Sequence, residues 1–274
     1  MVRGGPIRGW RGYGALVAVP LLLATACGGG HGGDGDAAKK RPSAPKATAT
    51  GGENPDATAG PVVDADPARL PTTRKAALGL IGQVIANPED FGPGVVARTP
   101  YESGPDTWPV LDSNCVWQQG DPGRGILATL TRSFEVPAAK GKGPLRLAAI
   151  VTVHRTDDGA RWEMAGSLEE SMRCPTQQLR RGEFIGGLGA GALDRGEANQ
   201  TNSDDSLMES GEYRSDELGG PHPYFWSQDR ILRFTFAVTA KGAKGWASGE
   251  IDSVAFQAQS AMLVRLSENI RKKG

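Results

Sequence analysis

The side chains able to build a core are unevenly spread along this chain. Residues 28–71 contain no Phe, Trp or Tyr, and their larger aliphatics are only Val62, Val63 and Leu70. The same 44 residues hold nine Gly and six Pro. Such a segment cannot bury enough apolar surface to offset its ordering entropy. Gly leaves it flexible and Pro keeps it partly extended. Every Trp except Trp10, and every Phe, lies beyond it. A core must therefore come from residues 72–274, a stretch of roughly 200 residues and enough for one sizeable domain.

The N-terminus reads as an export leader. Arg3, Arg8 and Arg11 precede an apolar run over residues 15–23, and then Ala24-Thr25-Ala26-Cys27. A positive start, a short apolar stretch and small residues form the layout of a secretory signal. The run is well short of the roughly 20 residues that span a bilayer, and Pro20 interrupts it. The segment LLATAC resembles the bacterial lipobox, whose Cys receives a diacylglyceryl group and becomes the new N-terminus. Ala24 stands where that pattern more often has Leu. The reading predicts a signal peptide over residues 1–26, lipid on Cys27, and a tether over 27–71 that lifts the domain off the outer face of the cell membrane. Two acyl chains anchor firmly where one is marginal. The alternative is cleavage after Ala26 with Cys27 left as a free thiol. Lys39-Lys40-Arg41 could touch anionic headgroups, but nearby acids make a solvated linker the better reading.

Residues 71–274 carry 23 Lys plus Arg against 25 Asp plus Glu. This balance, with no basic stripe among aromatics, argues against a polyanion surface and hence against a nucleic-acid partner. Two cysteines remain, Cys115 and Cys174. An even pair in an exported domain points to a disulfide. Two buried thiols are the alternative, and a redox pair would be expected closer in sequence, as in Cys-x-x-Cys.

The periodicity predicts an α+β domain: a mostly antiparallel sheet with packed helices, including a long C-terminal one. Residues 74–86 read as a helix with Ala77, Leu80, Ile81 and Val84 on one face and Pro88 after its end. Residues 126–134 and 145–154 alternate as strands, the latter with Val151 and Val153 inward. Residues 157–173 read as a helix capped by Asp157 or Asp158, with Trp162, Ala165, Leu168 and Met172 as its apolar stripe. The disulfide would pin its end to the sheet near Cys115. Residues 194–222 read as a long excursion in which 208–213 could form an exposed strand. Residues 231–239 read as the strongest strand, with Leu232, Phe234, Phe236 and Val238 toward the core. Residues 250–272 read as the closing helix.

The chemistry-bearing motifs are mostly missing. Gly-Lys-Gly at 141–143 and the Gly/Lys run at 241–245 do not open a helix as a phosphate loop does. The glycine-rich 187–191 reads as a flexible loop, because no βαβ unit surrounds it. No Gly-x-Ser-x-Gly elbow is present. His154 with Asp157 or Asp158 could supply a base and its orienter, but no nucleophile is paired to them. Asp204, Asp205 and Glu209 lack the spacing of a calcium loop. No catalytic residue, metal site or cofactor is assigned. The best candidate surface is aromatic: Tyr224-Phe225-Trp226 after the turn Gly219-Gly220-Pro221-His222-Pro223. On a strand, Tyr224 and Trp226 share one face and Phe225 takes the other. The former pair could contact a ligand, with Arg214 and Arg230 as neighbours, and packing of all three rings in the core is the alternative.

The lipobox, the Gly/Pro tether and the single exported domain resemble a surface lipoprotein of high-GC actinobacteria. The helix at 74–86, Cys115-Val116-Trp117, Cys174 after a helix and the closing helix at 250–272 resemble, as scattered features, the extracellular sensor-like domain of actinobacterial serine/threonine kinases and its lipoprotein relatives. The resemblance implies an antiparallel sheet with packed helices and a cleft that takes an unidentified ligand. It implies binding of a small ligand, envelope component or protein partner rather than catalysis. This chain departs from that family in having one possible disulfide where two are common, and in having no kinase domain. An exported hydrolase and a structural envelope protein are the competing readings.

Overall fold

A computed structural model describes residues 60–194 and 202–273. The leader, Cys27 and most of the tether lie outside the described residues. Helix α1 (Arg74–Val84) starts where the Thr73 side chain accepts from the Ala76 N–H and buries Ala77, Ile81 and Val84. Short strands β1 (Val96–Glu102), β2 (Trp108–Leu111) and β3 (Trp117–Gly120) follow, then the long pair β4 (Ile126–Val136) and β5 (Leu145–His154). Helix α2 (Asp157–Arg173) is capped by Thr156, whose side chain accepts from the Gly159 N–H, and carries Asp157 and Asp158 in its first turn. Acids there complement the helix dipole. Strands β6 (Thr176–Arg180), β7 (Glu183–Asp194), β8 (Asp205–Ser215), β9 (Gly219–Ile231) and β10 (Phe234–Lys241) lead into helix α3 (Ser248–Ile270).

Eight strands form one sheet in the order β1-β4-β5-β10-β9-β8-β7-β6, and β2 and β3 pair as a separate hairpin. Every pairing in the sheet is antiparallel. The two faces differ in character. Val151 and Val153 of β5, Phe234, Phe236 and Val238 of β10, and Phe225 of β9 join Ile81 of α1 and Met262 and Leu266 of α3 in the main core. Residues in the alternate positions face α2, and there the sheet is far more polar. The α+β class expected from periodicity is what the chain adopts.

Several expectations need correcting. The α2 stripe is reversed: Trp162 is 77 % and Met172 75 % exposed, while Ala160, Met164 and Ser171 are buried. An apolar stripe predicts the inner face only when that face meets an apolar core, and α2 does not. The glycine-rich 187–191 lies in a strand, 183–194, rather than a loop, and the strand expected at 208–213 is present but longer, 205–215, and inside the sheet. The glycines at 187–191 lie within β7, next to a register irregularity between Gly186 and Gly189, and Gly187 takes a left-handed φ of 61°. Positions 219–223 open β9 instead of turning before it. The expected strand at 231–239 is split by a hairpin turn, since Ile231 pairs with Phe234 across Leu232 and Arg233. Finally, the C-terminal part of the expected tether is docked. Val63 is buried in the main core, and the Asp66 N–H donates to the Ile270 carbonyl at the end of α3 (2.8 Å).

Candidate functional site

Antiparallel register places a row of side chains under α2. Glu209 of β8 stands opposite Trp226 of β9, which stands opposite Thr239 of β10. One step along, Gln228 stands opposite Ala237, which stands opposite Ile150 of β5. Above these rows sits the inner face of α2, with Glu163, Ser167 and Glu170 at helical spacing. The β2–β3 hairpin closes a third side with Trp108, Trp117 and Gln118. Between the three walls lies a cavity of about 480 Å³. That volume falls within the size range of small-ligand sites.

The walls are held by specific links. Cys115 and Cys174 form a disulfide with Cα atoms 5.6 Å apart, joining the hairpin turn to the C-terminal end of α2. The expectation of a bond is met, although the partner of α2 is the hairpin rather than the main sheet. Asp112 shapes that turn by accepting from the N–H groups of Asn114 (2.8 Å) and Val116 (3.0 Å). Arg173 at the end of α2 donates to the Asp112 carbonyl (3.2 Å). Trp117 Nε1 donates to Gln177 Oε1 (2.7 Å), which fixes the indole as a wall.

Polar groups on the cavity floor divide into satisfied and open sets. Glu163 accepts from Gln228 Nε2 (2.7 Å) and the Thr235 hydroxyl (2.8 Å), and its other partner is His154 Nε2 at 2.5 Å. Lys241 Nζ donates to Glu183 (2.6 Å), which also accepts from the Tyr213 hydroxyl (2.9 Å) and pairs with Arg180. Burial pushes the Lys241 ammonium down, and the Glu183 charge opposes that shift. Glu183 itself is held low by Lys241, Tyr213 and Arg180 against the effect of its burial. Glu209 is different. Burial, together with the neighbouring Glu170 charge, pushes its carboxyl up to about 7 despite a hydrogen bond from Ser171. Burial also raises Glu170. Gln228 is 3 % exposed, and its Oε1 has no hydrogen-bond partner.

The structure brings some of the sequence-derived site residues together and separates others. Tyr224 and Trp226 both line the cavity, while Phe225 points to the opposite face and stacks edge-on against Phe256 of α3 at 5.0 Å. Arg214 is exposed, paired with Glu212 (2.8 Å), and lies on the other face of β8 from Glu209. Arg230 is consumed structurally: it pairs with Asp205 and Asp204 and donates to the Leu232 carbonyl (3.0 Å), holding the β9–β10 turn. Neither arginine lines the cavity. His154 faces Glu163 rather than Asp157 or Asp158. Its Nδ1 looks at the first turn of α2, where a β-carbon on Gly159 would stand 3.3 Å away. Among the described residues no cluster of His, Cys, Asp and Glu could hold a metal ion.

Sequence reasoning missed Trp108, Glu163, Glu170 and Gln228, and it weighed Glu209 only as a cation ligand beside Asp204 and Asp205. The one available signal was α2 itself, where Glu163, Ser167 and Glu170 recur at i, i+4 and i+7. A helix with carboxylates along one stripe and Trp162 and Met172 elsewhere is ambiguous as to which side faces in.

The fold and site define an α+β domain with a cleft between one sheet face, a helix and a cross-linked hairpin. No family model matches the chain, and no curated protein matches it. Among solved structures it is similar to the extracellular domain of PknH from Mycobacterium tuberculosis, at 12 % identity and a TM-score of 0.39, over 70 % of this chain and 98 % of that one.

Proposed function

We propose that this chain is a surface lipoprotein, held on the outer face of the cell membrane by lipid on Cys27, whose domain binds a ligand without catalysis. The observation that carries the binding reading is the cavity of about 480 Å³ walled by Trp108, Trp117, Tyr224 and Trp226. Aromatic walls give large contact area at low entropic cost. The non-catalytic reading rests on His154, the obvious base. It is 4 % exposed, its Nε2 is taken by Glu163, and it does not itself line the cavity. The Cys115–Cys174 bond supports export, since disulfides persist in oxidising compartments. No described helix is long and apolar enough to cross a membrane.

The test pairs the intact protein with its Trp226→Ala variant in thermal unfolding against fractionated small molecules from a cell envelope. A fraction should raise the unfolding temperature of the parent and leave the variant unmoved, because binding to the native state stabilises it. Equal shifts in both would remove the cleft from the account. For the anchor, Cys27→Ser should move the protein from the detergent phase to the aqueous phase. An unmodified Cys27 in the mass of envelope-bound protein would end that part of the proposal. A hydrolase remains the second reading because two raised carboxyls, Glu170 and Glu209, share the cavity. Turnover of aryl glycosides that is lost in Glu209→Gln would favour it.

A further inference from the structure

Resting on the cleft reading above, we infer the chemical class of its occupant: an organic cation that carries N–H donors on its charged head and an apolar body behind it. The head would lie against Glu209 and Glu170, and the body against the indoles of Trp226 and Trp117.

The charge balance of the cavity leads there. Four ionisable carboxylate or ammonium side chains line it besides Tyr224: Glu163, Glu170, Glu209 and Lys241. Lys241 is engaged with Glu183, and Glu163 already has Gln228, Thr235 and His154 as partners. Glu170 and Glu209 are left, and among the described residues neither takes part in an ion pair. Arg173, the nearest cation on the same helix, spends its guanidinium on Glu169 (3.0 Å) and on the Asp112 carbonyl. Two carboxyls facing one desolvated space repel each other, and each is costly to ionise there. A bound cation offsets both costs, whereas an anion adds to them.

Gln228 supplies independent support. It is 3 % exposed and belongs to the cavity wall, and its Oε1 lies buried behind that wall with no donor. Its amide nitrogen is committed to Glu163, so the negative end of the amide dipole is left unopposed, which favours a positive charge nearby. The two carboxyls are both acceptors, so the head must donate. A quaternary ammonium would leave them unmet, and a primary amine or guanidinium meets them. The aromatic wall suits the same ligand. The Trp117 N–H is occupied by Gln177, so this indole offers its ring rather than a donor. Ring faces attract cations and pack against apolar bodies.

The test uses probes sharing one ring and differing in charge: benzylamine, benzyl alcohol and benzoate, titrated calorimetrically into the intact protein at about pH 8, where the Glu209 carboxyl is ionised. Benzylamine should bind at least about tenfold more tightly than benzyl alcohol, and benzoate more weakly than either. Glu209→Gln should lower benzylamine affinity by about tenfold and leave benzyl alcohol unchanged. Unfolding curves for the variant establish that it is folded. If all three probes bind alike and Trp226→Ala weakens all three, the cleft is a binding site and the cation assignment is overturned. If none binds at millimolar concentration, the assignment is also overturned, and the cleft reading then stands or falls on the envelope fractions.

Discussion

Replacing Glu209 by Gln should stabilise the domain, and only at neutral and alkaline pH. In the fold, burial raises the carboxyl from its ordinary 4.5 to about 7, with Glu170 adding to the shift and Ser171 opposing it. A carboxyl raised in the native state contributes stability that is fully present below about pH 4.5, where both states hold the proton. That contribution is lost progressively as pH climbs to about 7, because the unfolded chain ionises first. Above that point the loss levels off at about 3 kcal/mol, the free-energy equivalent of moving a carboxyl from 4.5 to about 7. Gln is close in shape to the protonated acid and never ionises. The variant should therefore match the parent near pH 4 and exceed it by about 3 kcal/mol near pH 8. Urea unfolding of both proteins at three or more pH values reads the difference directly. A difference that does not change with pH would refute the argument, as would a variant less stable than the parent near pH 8. The same substitution is expected to weaken amine binding, so a rise in stability with a fall in affinity would separate function from folding at one position.

Removing the cross-link with Cys115→Ser and Cys174→Ser should cost about 2–5 kcal/mol, since it closes a long loop in the unfolded chain; titration of two free thiols in the oxidised, denatured parent would refute the bond. Trp162→Ser should change stability by less than about 0.5 kcal/mol, because the ring lies on the outer face of α2; a loss of several kcal/mol in thermal unfolding would restore the inward stripe. Tyr224→Ala should cost about 3 kcal/mol, because Tyr224 is 8 % exposed and packs with Ile185 and Tyr213. Trp226→Ala should cost less, since Trp226 is only half-buried, and equal losses in chemical denaturation would contradict that division of roles.

Much of the scaffold could be read from local pattern. The boundaries of α2, the strands at 126 and 145, the inward Val151 and Val153, and the buried line of α3 from Ile251 to Ile270 all follow from a period of 3.6 or 2 set against one apolar face. Those elements each meet the main core, or in the case of α2 carry strong end signals. Cys115 and Cys174 could be paired because no other cysteines compete once Cys27 is assigned to lipid. The alternation of Tyr224, Phe225 and Trp226 was legible for the same reason: Tyr224 and Trp226 face the cavity and Phe225 the main core.

What the sequence by itself determined, then, was where most of the core comes from, the periods of its clearest elements and one covalent link. Which face of α2 turns inward was decided only in three dimensions, because the helix covers an open cavity lined by aromatic rings and carboxyls together rather than a close-packed core, and the usual pairing of apolar with inside does not apply. The site was likewise invisible locally. Glu209, Trp226 and Thr239 are distant in sequence and become neighbours only through the register of three strands. Arg230 looked like a ligand contact until Asp204 and Asp205, brought in from β8 and its approach, claimed its charge. Hydrophobic periodicity reports how one element meets an apolar layer. Whether two acids, an amide and three indoles converge on one space depends on strand register and on the cross-linked hairpin, and neither is encoded in any single element.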